Sequence, residues 1–337
     1  METLNHFAIL AARRRLADDV HATPILSSKT LNQWLGHEIF FKAEGLQKVG
    51  AFKARGALNA LRCYREFIGR FPERVIANSS GNHAQAVAWA CREHGVPCTV
   101  YMPEATSQVK QQGTRHYGAE LVLLPTRTAV DATAAREAES DGVFWIPPYN
   151  HEWVMAGQGT AAAEALDVLD SVHAVVAPCG GGGLLAGTLV TTRALCPGAQ
   201  VVGAEPAAAS DAFQSRKQGR IIALEQTPNT VADGARTLSV GERTFPFLQR
   251  LDEFFMCSEA RIAYWTQWLT HLLKLQIEPT AALGMEGAWQ WLMRQKQPRR
   301  VLVILTGANM DAATRQRVWQ QDWLTQPPDS LGGGQCD

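Results

Sequence analysis

No run of about 18 apolar residues occurs anywhere in the 337-residue sequence. The first twenty residues, METLNHFAILAARRRLADDV, also lack the apolar core of roughly 7–15 residues that a signal peptide carries. Neither a membrane-spanning helix nor an export signal is predicted, and the expected location is cytoplasmic. An excess of one charge is missing too: 32 Lys and Arg balance 32 Asp and Glu, with no long like-sign run. That balance gives nucleic acid or an anionic membrane surface no bulk attraction, so neither is an expected partner. The seven cysteines (Cys63, Cys91, Cys98, Cys179, Cys196, Cys257 and Cys336) form no CxxC pair and lie mostly in apolar segments. Reduced, buried thiols suit this pattern better than a disulfide framework.

What is present is enough apolar material, 46% of residues, for sizeable cores, and a length near two domains at roughly 150 residues each. The runs EIFFKAE, RVIANSS, PCTVYMP, AELVLLP, VFWIPP, AVVAPCG, QVVGAEP and RVLVILTG alternate with longer helical patterns. This is the signature of βαβ units, so the predicted class is α/β with open, mostly parallel twisted sheets flanked by helices. Three of the helical stretches close at Gly95, Gly118 and Gly142, as helix C-termini do. Residues 45–149 form one expected small lobe. Residues 1–44 join 150–325 in a larger one, because the strand EIFFKAE precedes the first regular unit. The Pro- and Gly-rich residues 326–337 are expected to be a disordered tail.

Four segments carry chemical meaning. Lys53, in Gly50-Ala51-Phe52-Lys53-Ala54-Arg55-Gly56-Ala57, lies at a predicted helix start, where the dipole and apolar neighbours disfavour its charge. Such an amine can be a nucleophile, although a plain surface lysine opening an amphipathic helix fits this octet alone. Ser79-Ser80-Gly81-Asn82-His83 follows the strand RVIAN and offers free N–H groups to a carboxylate or phosphate. Simple capping by Ser80 or Asn82 accounts for one polar residue there, not for the five (Ser79, Ser80, Asn82, His83 and Gln85) that crowd into Ser79–Gln85. Gly180-Gly181-Gly182-Gly183, with Leu184 after it, exposes backbone N–H groups between a strand and a helix, as a phosphate cradle requires. Thr306, in Thr306-Gly307-Ala308-Asn309, ends the strand RVLVIL, where open α/β sheets gather ligands, or else caps the last helix. Gly181, Gly183 and Ala186 with Glu205 also satisfy a G-x-G-x-x-A dinucleotide pattern. A nicotinamide-dependent oxidoreductase is therefore a competing reading, and it leaves Lys53 and Ser79–His83 unexplained.

In this order the segments resemble the serine/threonine dehydratase and serine racemase family of fold-type II pyridoxal-phosphate enzymes. The likeness runs from Thr23-Pro24 to Asn309 and includes Ala156-Gly157-Gln158-Gly159-Thr160, Ala232-Asp233-Gly234 and Ile277-Glu278-Pro279-Thr280. The resemblance implies two lobes, a homodimer and pyridoxal 5'-phosphate as cofactor. It implies that Lys53 is the Schiff-base lysine and Ser80 the acid/base on the opposite face. It further implies that Phe52 packs on the pyridine ring, Asn82 meets the ring hydroxyl, Gly180–Gly183 and Leu184 hold the phosphate, and Thr306 faces the ring nitrogen. Ser79, Ser80, Asn82, His83 and Asn150 become the expected substrate contacts. Glu205, Ala209 and Asp211 look like the family's divalent-cation site, whose oxygen ligands suit Mg²⁺ or Ca²⁺; a solvated acidic loop is the plainer alternative.

The implied activity is ammonia-lyase (dehydratase) chemistry, converting L-threonine, L-serine or a related β-hydroxy amino acid to a 2-oxo acid and ammonia. A Thr306 hydroxyl keeps the ring nitrogen less protonated than a carboxylate would, which favours β-elimination. Serine racemase and threo-3-hydroxyaspartate or phenylserine dehydratase are the alternatives within the family. Val130 or Asp131 stands where relatives acting on β-carboxylated substrates carry arginine, which argues against 3-hydroxyaspartate. One extra residue after Ala232-Asp233-Gly234 argues against racemisation, and the allosteric control of biosynthetic threonine deaminases is not expected.

Overall fold

The computed structural model describes residues 4–330. Among the described residues ten strands build two sheets. β1 (Ile25–Leu26), β2 (Glu38–Ala43), β7 (Ala174–Pro178), β8 (Gln200–Pro206), β9 (Glu253–Cys257) and β10 (Arg300–Leu305) form the larger sheet in the order β1-β2-β10-β7-β8-β9. Only β1 runs antiparallel in it. β3 (Arg74–Asn78), β4 (Cys98–Pro103), β5 (Glu120–Leu124) and β6 (Val143–Trp145) form an all-parallel sheet in the order β5-β4-β3-β6. Central strands such as β7 are buried throughout, which explains why their sequences read as continuous apolar runs. The α/β class with parallel-sheet cores therefore holds. Eight strands coincide with the runs picked out in the sequence, and β1 and β9 are additions. β9 lacks a clear signal because it is an edge strand whose Met256 faces outward and whose flanks carry no Gly or Pro.

The helices Lys53–Ile68, Glu152–Val168 and Gly183–Leu195 pack in series, the middle one touching both others. They approach closely: a Cβ at Gly187 would stand 2.5 Å from the Met155 carbonyl and 2.6 Å from the Gly159 nitrogen. Ala156-Gly157-Gln158-Gly159-Thr160 is thus a packing motif, and the helix His6–Leu16 seats Ile9 against it. Gly95, Gly118 and Gly142 adopt left-handed φ where their helices end.

The expected tail needs correction in its first part. The Gln326 carbonyl accepts bonds from Tyr264 Oη at 2.9 Å and Trp268 Nε1 at 3.1 Å, and Pro328 is buried. Aromatic side chains with polar tips need acceptors, and this segment supplies them. The rest of the tail, residues 331–337 with Cys336, lies outside the described residues. Five of the six described cysteines are buried thiols. Among the described residues no helix is long and apolar enough to cross a membrane.

Candidate active site

Strand ends assemble the site. After β3 the chain turns through Ser79–Gly81 into the helix Asn82–Glu93; after β7 it runs through Gly180–Gly182 into the helix Gly183–Leu195; after β10 comes Thr306. All three turns lie at carboxyl ends of parallel strands, as open α/β sheets place ligand sites.

Lys53 opens its helix directly after Phe52, whose N–H donates to the Thr306 carbonyl at 3.0 Å. Its ammonium donates to the Pro148 carbonyl at 2.6 Å and lies 5.1 Å from the Phe52 ring centre. Burial drives the amine down to about 8, and the distant attraction of Glu278 only partly opposes it.

Glu278, to which motif reading assigns no role, sits at the centre. It is buried and accepts from Asn82 Nδ2 at 2.9 Å and from Thr306 Oγ1 at 3.0 Å. Burial, reinforced by Asp233, pushes it up to about 7. The Thr306 hydroxyl thus has a carboxylate directly behind it, and the last helix is capped by Asp311 instead. A charged residue at the head of the apolar helix Pro279–Leu292 was the available signal.

The turn after β3 departs from simple capping. Gly81 is the N-cap of Asn82–Glu93 and no side chain caps it, so Ser79 and Ser80 stay partly exposed at the helix start. His83 differs from its expected place at a substrate carboxylate. Its imidazole is buried with Nε2 donating to the Ile146 carbonyl at 2.8 Å, and burial lowers it to about 3, leaving it neutral. Only its backbone N–H stays at the helix N-terminus. Asn150 likewise engages the protein, its Oδ1 accepting from the Arg243 N–H at 2.8 Å.

Each glycine of the run has a packing reason. A Cβ at Gly180 would meet the Gly234 carbonyl at 2.7 Å, one at Gly181 the Tyr149 ring at 2.2 Å, and one at Gly183 the Tyr149 backbone at 3.0 Å. Gly182 holds φ +90° as the cap of Gly183–Leu195. The run is therefore not by itself proof of a phosphate, although its N–H groups, with that of Leu184, point from a 13-residue helix N-terminus.

The model of the family described as "Pyridoxal-phosphate dependent enzyme" matches residues 16–307. The chain belongs to that family. L-threo-3-hydroxyaspartate ammonia-lyase of Saccharomyces cerevisiae is 39% identical over 90% of this chain and 92% of its own. Serine racemase of Homo sapiens is 37% identical over 89% of each. The crystal structure of a T.th. threonine deaminase superposes with a TM-score of 0.85 at 41% identity, covering 91% of this chain and 99% of that one. Family membership makes the cofactor pyridoxal phosphate and the fold that of fold-type II enzymes. The site suits that group: a desolvated amine without an anionic partner faces it, and the glycine-lined helix N-terminus suits its phosphate.

Glu205, Ala209 and Asp211 come together at the end of β8, all buried. Glu205 accepts from the N–H groups of Ala212 at 3.2 Å and Phe213 at 2.7 Å, while Asp211 Oδ2 is buried without a partner. Burial pushes Glu205 up to about 9 and Asp211 to about 7. Among the described residues no three His, Cys, Asp or Glu side chains converge as metal ligands, so a cation here would need the Ala209 carbonyl and water.

Proposed function

We propose that this enzyme is an ammonia-lyase that converts L-threonine or L-serine to a 2-oxo acid and ammonia, working as a homodimer in the cytoplasm. The observation that carries the reading is Lys53: a helix-opening amine held by a carbonyl alone and lowered to about 8. Bound pyridoxal phosphate supplies the electron sink for the substrate's α-carbon. Lys53 Nζ holds the cofactor and, once released, takes the α-proton, for which a pKa near neutrality suits it. Phe52 walls one side of the ring. Ser80 Oγ is the acid/base on the opposite face, and Asn82 Nδ2 meets the ring hydroxyl. The substrate carboxylate is received by the Ser79 and Ser80 hydroxyls and the backbone N–H groups opening Asn82–Glu93, His83 contributing its N–H rather than its ring. Gly180–Gly183 and Leu184 hold the phosphate, Thr306 faces the ring nitrogen, and Glu205, Asp211 and the Ala209 carbonyl take Mg²⁺ or Ca²⁺. Loss of the β-hydroxyl as water, followed by uptake of water at the α-carbon, balances to oxo acid and ammonia.

Asp131 supports an uncharged β-substituent. It accepts from Asn78 Nδ2 at 2.8 Å and from Arg127 Nε at 3.0 Å, so the Arg127 guanidinium is already paired with a carboxylate. A substrate carboxylate would have to displace Asp131 from Arg127. The relatives named for hydroxyaspartate keep that second reading in the test, and Ser80 keeps racemisation there. Oxo acid and ammonia release from L-threonine, L-serine, threo-3-hydroxyaspartate and threo-phenylserine, with pyridoxal phosphate and Mg²⁺ present, decides. Threonine or serine should turn over fastest. D-amino acid accumulating without oxo acid would overturn the lyase reading.

A further inference from the structure

Asn309, four residues beyond the end of β10, joins three segments through one amide nitrogen. Its Nδ2 donates to the Val49 carbonyl at 2.7 Å and to Asn82 Oδ1 at 2.9 Å. Asn82 in turn donates from Nδ2 to Glu278 Oε2 at 2.9 Å. Val49 itself is buried with φ +56°, a left-handed conformation that a β-branched residue strongly resists. Such an outlier persists only where its surroundings over-determine it. It stands four residues before Lys53, and the next residue, Gly50 at φ +70°, presses so close to Asn309 that a Cβ there would lie 2.9 Å from Oδ1.

We infer that Asn309 is a positioning residue that selects which end of the Asn82 amide faces the cofactor and ties that choice to the strained turn ahead of Lys53. The inference rests on Asn82 meeting the ring hydroxyl. An amide has a donor end and an acceptor end of nearly equal shape, so sterics alone do not choose between them. Asn309 Nδ2 has only hydrogens to offer and both have acceptors, which fixes Oδ1 of Asn82 toward Asn309 and leaves its NH₂ toward Glu278 and the site. Reversal would set two NH₂ groups head to head and a carbonyl against the Glu278 carboxylate. The donor end is the one that suits an anionic ring oxygen. Because the second hydrogen braces Val49, the same side chain holds the backbone that aims Lys53.

Bracing and orienting are separable, since glycine adopts the Val49 conformation without strain. Asn309→Ala should weaken pyridoxal-phosphate binding about tenfold, the loss expected for one charge-assisted hydrogen bond, and should lower the thermal midpoint. Adding Val49→Gly should restore the midpoint and leave the tenfold loss. Affinity is read by titrating the cofactor-free chain with pyridoxal phosphate and following absorbance and tryptophan fluorescence. Parental affinity in Asn309→Ala, or full recovery of affinity in the double variant, overturns the inference. Where the single variant does not fold, the double variant carries the same comparison. A parent chain that bound no pyridoxal phosphate would overturn the underlying site reading as well, which separates the two failures.

Discussion

Lys53 and Arg55 stand two residues apart on the first turn of one helix, and the fold treats their charges in opposite ways. Arg55 is fully buried, bonded to Glu44 through Nε at 2.7 Å and to Glu164 through Nη1 at 2.6 Å, with Lys42 on Glu164 at 2.6 Å. Burial opposes its charge, but two carboxylates outweigh that cost and its pKa rises. Lys53 has a carbonyl in place of a carboxylate, burial wins, and its pKa falls to about 8. A matched buried charge holds structure; an unmatched one is free for chemistry.

Removing each side chain in turn tests that contrast with the largest effect. Lys53→Ala should cost activity about 10²–10⁴-fold or more and abolish the visible absorbance of bound cofactor, with the urea midpoint near the parent's. Arg55→Ala should do the reverse in kind. Removing the guanidinium leaves Glu44 fully buried without its cation and Glu164 with Lys42 alone, a loss of about 3–5 kcal/mol by urea unfolding. Equal destabilisation by both would mean that Lys53 is a structural ion like its neighbour.

The pH dependence sharpens the same point with a smaller effect. Only the neutral amine captures the cofactor aldehyde, and a lowered pKa brings that form into the neutral range. With Lys53 at about 8, the neutral fraction, and hence the capture rate, should rise about fiftyfold from pH 6 to pH 8 and then level off. A rate still climbing steeply beyond pH 9 would show a lysine near its ordinary value.

Features written in contiguous residues were legible in the sequence; those built from distant partners were not. Lys53, the Ser79–His83 turn and the glycine run announce themselves because strand-to-helix turns demand small or polar residues locally. Glu278 did not, because its partners Asn82 and Thr306 lie 196 and 28 residues away. The direction of the His83 ring depends on the Ile146 carbonyl, 63 residues on. Nothing in the local sequence marks Val49 as left-handed either, since that conformation is held from Asn309, 260 residues later. Even the glycine run was read through half of its causes, for the Tyr149 ring needs Gly181 as much as a phosphate would.

Glu205 and Asp211 extend the contrast to anions. Here burial raises two carboxylates, the charge of Asp211 raises Glu205 further, and Asp211 Oδ2 is buried without a hydrogen-bond partner. A helix N-terminus partly serves Glu205 through two N–H groups, so the competing reading makes the pair a cap for Asp211–Gln218 and nothing more. The two readings diverge on adding a divalent ion. If the pair is a cation site, saturating Mg²⁺ or Ca²⁺ at roughly a hundred times Kd stabilises the fold by about 2.7 kcal/mol, a rise of several degrees in thermal midpoint that a chelator reverses. Asp211→Asn should remove the rise while stabilising the ion-free protein, because it deletes one of two repelling charges. A cap without a cation predicts no ion effect, and it predicts that Glu205→Gln is the more damaging change, since the accepting carboxylate at the helix start is then the part that matters.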